Sequence, residues 1–123
     1  MAQKLRKITV AAQPLLWCFS GRWHKDRYLC HVTLLSEDRN NTAIITFACY
    51  DTVTAGNPLN EGLYMIKNDT EVRVNLNQPR FIAEMVSYLP LQFTDKSTRN
   101  HIVLEGKCLL DKMGYQDVHQ YLL

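Results

Sequence analysis

The most constraining stretch of this chain is residues 28–35. Tyr28, Cys30, Val32 and Leu34 take one set of alternate positions, His31 and Thr33 the other. Successive side chains of a β-strand point to opposite faces, so period 2 with aromatic and β-branched residues predicts a strand buried on one side. Residues 42–50 (TAIITFACY) are too apolar to show one clean face and read as a central strand. Between them, Ser36-Glu37-Asp38-Arg39-Asn40-Asn41 is a turn cluster, which predicts a hairpin with a long tip. Residues 15–23 form a further apolar and aromatic run, broken only by Ser20 and Gly21.

Downstream, residues 63–66 and 71–76 predict a second hairpin. Val72, Val74 and Leu76 face inward, and Lys67-Asn68-Asp69-Thr70 forms the turn. Asn77 or Gln78 caps one helix, Pro79 suits its first turn, and Phe81, Ile82, Met85, Val86 and Leu89 fall at helical spacing before Pro90 stops it. Residues 102–104 read as a last strand, with Gly106 at a bulge or bend. Residues 51–60 and 94–100 read as loops. Residues 114–123 read as a short amphipathic C-terminal helix carrying Tyr115, Val118, Tyr121 and Leu122. Residues 1–10 read as a basic N-terminal arm. The 123 residues predict a single domain spanning 1–123, with no apolar run near the roughly 18 residues of a membrane span. The absence of a leader pattern predicts the cytoplasm, or the interior of a host cell. Cys18, Cys30, Cys49 and Cys108 are scattered through apolar stretches without a CxxC pair and read as free thiols.

About five or six strands with one clear helix predict a mainly β protein with one or two helices. The strand ending at Phe19-Ser20-Gly21-Arg22, the long hairpin over residues 28–50 and Gly62 leading into the next pair resemble, by element order, the oligonucleotide-binding (OB) fold. The resemblance covers roughly residues 15–110. It implies a small five-stranded barrel that binds single-stranded nucleic acid, the first inter-strand loop being a usual binding element. In that family the helix falls between the third and fourth strands, whereas here it comes late. The other architecture the pattern allows is an α+β open antiparallel sheet with one covering helix.

The formal net charge of +2 conceals an asymmetry. Residues 1–36 hold six basic side chains (Lys4, Arg6, Lys7, Arg22, Lys25, Arg27) against one acid, Asp26; residues 37–123 hold eight basic and eleven acidic ones. Such a basic third points to a polyanion or an acidic partner. Residues 17–31 (WCFSGRWHKDRYLCH) interleave these cations with Trp17, Phe19, Trp23 and Tyr28. Single-stranded nucleic acid needs both types, cations for phosphates and ring faces for unpaired bases. The resemblance makes residues 22–28 the binding loop, with Trp23 and Tyr28 as stacking platforms and Arg22, Lys25 and Arg27 on phosphates. Lys4, Arg6 and Lys7 form a second basic group able to follow a phosphate backbone.

Three other readings compete. Cys18, His24, Cys30 and His31 are all zinc-ligand types, but their spacing forms no knuckle, so no cofactor or metal is expected. His31-Val32-Thr33 resembles one H-x-T half of the two-histidine phosphoesterases. His101-Ile102-Val103 and His119-Gln120-Tyr121 do not supply the second half, so a non-enzyme is expected. The alternative function is a protein-interaction module, an inhibitor or assembly subunit, that binds a larger protein. It would use Arg22, Trp23 and Tyr28, hot-spot residue types, or the C-terminal tail, which could also mediate self-association into a homo-oligomer.

Overall fold

The computed structural model describes residues 5–25, 27–50, 63–89, 100–117 and 122. A five-stranded sheet forms the first layer: β1 (Arg6–Val10), β2 (Gln13–His24), β3 (Arg27–Ser36), β4 (Asn41–Tyr50) and β7 (Asn100–Glu105), in the order β1-β2-β3-β4-β7. The first four strands are antiparallel neighbours, and β7 joins β4 in parallel. The second layer holds the hairpin β5 (Leu63–Lys67) and β6 (Thr70–Val74), helix α1 (Pro79–Val86) and helix α2 (Gly106–Lys112). The chain is mainly β with two helices, as the sequence pattern predicts. Of the two architectures the open sheet is the one formed: β7 adds beside β4, so β1 and β7 lie at opposite edges and do not close a barrel.

The alternation predicted for residues 28–35 sets the inner face. Val32 lies between Phe19 and Ile45, and Leu34 between Trp17 and Ala43, all buried. From the other layer Met65, Val74, Leu76, Phe81, Ile82, Met85, Leu109 and Leu110 complete one continuous core. Helix α1 matches its sequence signals: Gln78 is the N-cap, Pro79 opens the first turn, and Phe81, Ile82 and Met85 are buried. Asn68 and Asp69 both adopt positive φ in the two-residue turn of the β5–β6 hairpin, as a type I′ connection requires.

Two boundaries differ from expectation. Residues 6–10 are no free arm: they pair with β2 through a two-residue turn at Ala11 and Ala12, at φ 51° and 65°. Alanine is a poor turn residue, so the sequence pattern conceals this hairpin. A helix, α2, lies before Gly114, and residues 114–117, expected to open the C-terminal helix, are not helical; residues 118–121 and 123 lie outside the described residues. At Gly114, φ is 92°, with Gly114 N–H donating to Asp111 O and Tyr115 N–H to Leu110 O, both at 3.0 Å, the two bonds of a Schellman stop. Beyond it Gln116 pairs with Ile66 on the edge of β5, and Leu122 bridges to Cys49 on β4. Tyr115 and Leu122 are buried in the chain's own core, which removes them from any outward-facing tail.

A Cβ at Gly106 would overlap the buried Phe47 ring. Gly106→Ala should therefore lower stability by about 1–3 kcal/mol in urea unfolding. Replacing Ala11-Ala12 by Asn-Gly relieves two left-handed alanines and should raise stability by about 1 kcal/mol. An unchanged midpoint would mean that the turn is unstrained.

Candidate nucleic-acid interface

β2 and β3 remain paired to their very end, Arg22 with Leu29, Trp23 with Tyr28 and His24 with Arg27. Arg22 to His24 and Arg27 to Tyr28 are therefore strand rather than loop, Lys25 follows β2 at φ 59°, and residue 26 lies outside the described residues. The pleat sorts the expected site residues. Arg22, His24 and Arg27 share the outer face, away from the core, while Trp23 and Tyr28 share the inner face. Tyr28 is only 4% exposed. Its phenol lies over Gly21, where any Cβ would overlap it, and the Trp23 ring sits 4.9 Å from its ring at a 45° tilt. Tyr28 is thus a core residue and not an open stacking platform. Trp23 is 53% exposed and is the ring this hairpin end offers.

The second basic group is divided as well. Lys4 lies outside the described residues. Arg6 points inward along β1, with its guanidinium 4.2 Å from the Trp17 ring centroid and donating to the backbone and side-chain oxygens of Asn77, each at 3.3 Å. It ties β1 to the approach to α1 while the side chain stays exposed. Lys7, one residue on, is exposed on the outer face.

The outer face runs in cross-strand rows. Lys7, Leu16, Leu35, Thr42 and His101 form one; Cys18, Thr33, Ile44 and Val103 the next; Ser20, His31, Thr46 and Glu105 the third; then Arg22, Leu29 and Ala48. Val103 is 61% exposed, and neither α1 nor α2 packs on this side. Among the described strand residues facing outward, Lys7, Arg22 and Arg27 with His24, His31 and His101 stand against one acid, Glu105. A cleft of about 570 Å³ opens at this end, lined by Ser20, Arg22, Leu29, His31, Thr46, Ala48, Glu105, Lys107 and Leu122, among others. Ser20 and Thr46 flank His31, but Glu105 lies two strand spacings from it, about 10 Å, too far to orient its ring. The expected site omitted Ser20, Thr46, Glu105 and Lys107. The alternation of residues 28–35 already put His31 on the solvent side; nothing local signals that Glu105, 74 positions later, joins its row.

The cysteines fall on both sides of the sheet. Cys18 and His31 are outward and Cys30 inward, so the four zinc-type side chains of residues 18–31 do not converge. Burial pushes the Cys30 thiol well up from its ordinary value, with the neighbouring Cys49 adding to it. Burial, with the Asp117 carboxylate beside it, pushes Cys49 up to about 12. Both are held as thiols at neutral pH, and a thiolate is the form that attacks or binds metal.

These raised values couple stability to alkaline pH. The unfolded chain releases the two protons near an ordinary 9.0, while the folded one retains them to about 12 at Cys49. The contribution is intact below pH 9 and is lost as pH rises toward 12. Urea unfolding should show a loss on the order of 1 kcal/mol per thiol between pH 8 and 10. Cys49→Ala should flatten that slope; a slope unaltered by it would contradict the assignment. Comparison with known protein families, with curated proteins and with solved structures finds no match to this chain.

Proposed function

We propose that this protein binds single-stranded nucleic acid non-enzymatically, across the outer face of its open sheet and over the end of the β2–β3 hairpin. The observation that carries the reading is the imbalance of that face: Lys7, Arg22 and Arg27 against Glu105 among the described outward strand positions, with neither α1 nor α2 packed over them. Arg22, Lys25 and Arg27 contact phosphates, and Lys7 extends the track. Lys7 pairs with Leu16, six positions along β2 from Arg22, a run of about 20 Å. Trp23, half exposed and braced on Tyr28, stacks on one base as the strand turns over the hairpin end. Cations here bind without reading sequence, so the affinity is weakly selective and falls steeply with salt.

The test is fluorescence anisotropy of a labelled single-stranded oligonucleotide at several salt concentrations. Trp23→Ala should weaken binding by about 1–3 kcal/mol, the worth of one stacked base. Replacing Arg22, Lys25 and Arg27 together by Ala should reduce the log–log salt slope by about 2. Arg6→Ala should lower stability and leave the slope alone. Absence of binding at low salt, with the chain folded, overturns the reading. Salt-independent capture of a protein through the same hairpin end would instead support the interaction-module alternative.

A further inference from the structure

The cleft at the outer face has its own geometry. β7 pairs with β4 only as far as Thr46 opposite Glu105, and Leu122 resumes the edge at Cys49. Between them lie Phe47 and Ala48; successive strand residues direct their N–H and C=O to opposite edges, so the backbone of one of the two faces this gap, with no register partner there among the described residues. A gap of two residues is too short for an added strand, since strands run from about three residues upward. It suits one planar ring whose edge carries donors and acceptors, as a nucleobase edge does. Leu29 and Ala48 give the cleft an apolar part, Arg22 and Lys107 supply cations, and Glu105 supplies one carboxylate acceptor. Its volume, about 570 Å³, falls in the range of small-molecule sites.

We infer that this cleft holds one nucleoside monophosphate unit. Its phosphate lies on Arg22 and Lys107, and its base meets the free edge of β4, with Glu105 accepting from an N–H or hydroxyl. A lone anion would use the cations and leave the apolar part and Glu105 unmatched; a carboxylate beside a bare phosphate is unfavourable. The inference rests on the nucleic-acid reading and shares Arg22 with it. The unit can be free or the phosphorylated end of a bound strand, and the experiment separates the two.

The experiment titrates the four ribonucleoside 5′-monophosphates, and separately inorganic phosphate, into ¹⁵N-labelled protein. At least one nucleotide should give saturable shifts at residues 46–48 and 105–107. Lys107→Ala, an exposed helix position, should weaken it at least fivefold. Shifts of equal affinity with inorganic phosphate, no shifts at these residues, or no effect of Lys107→Ala would each overturn the inference. Tighter binding of a 5′-phosphorylated oligonucleotide than of its unphosphorylated form assigns the site to strand ends; equal binding assigns it to the free nucleotide. Loss of oligonucleotide binding with mononucleotide shifts intact would sink the strand reading alone.

Discussion

The pleat of β3 places Tyr28, Cys30, Val32 and Leu34 against the second layer and leaves His31, Thr33 and Leu35 on the other side. Because β3 pairs with β2 over ten positions and with β4 over nine, that choice is imposed on both neighbours. A slip of β3 by one residue would turn its inward set, Tyr28, Cys30, Val32 and Leu34, to the outer face. Each large side chain held inward is worth about 1.5–3 kcal/mol, so the register is strongly defended. The outer face is released from the core's demands by the same pairing, and polar and basic residues accumulate there.

The second layer fixes where the sheet's edge opens. Gly106 lets the chain leave β7 in contact with the Phe47 ring, so α2 begins immediately and β7 pairs no further along β4. Gly114 then stops α2 and sends the chain back across the hairpin β5–β6. A shared polar cluster holds it: Lys67 pairs with Glu84 at 2.6 Å, Tyr115 donates to the same carboxylate at 2.8 Å, and the Lys67 ammonium lies 4.6 Å from the Tyr115 ring centroid. Leu122 reaches the β4 edge with its N–H on the Asp117 carboxylate. Glycines at 106 and 114 thus set the two ends of the gap at Phe47 and Ala48.

Local signals and long-range pairing separate what could be read in advance. The alternation of β3, the Asn68-Asp69 turn and the capped, Pro79-led α1 are each written within a few residues, and each is found in place. The β1–β2 turn was hidden because Ala11 and Ala12 adopt a conformation alanine disfavours. The parallel β4–β7 pair spans more than fifty residues, and no local pattern encodes such a partner. At the site, Trp23 and Tyr28 look alike in sequence and even share a face. They differ only in what lies over them, Tyr28 being enclosed by Gly21 and Trp23 while Trp23 overhangs the end of the sheet.

The separation of cations from the exposed ring bears on which nucleic acid such a surface suits. Arg22 and Arg27 lie on one side of the hairpin end and Trp23 on the other, so a ligand that meets both must turn over two strands, a width of about 5 Å between their axes. Duplex DNA, with a persistence length near 50 nm, does not bend on that scale, and its bases are already stacked on one another. An unpaired strand bends freely and has ring faces to offer. Under the proposed function, the pleat that divides the site would act as a filter. Cations alone would accept any polyanion, and the displaced tryptophan rewards only one flexible enough to reach it.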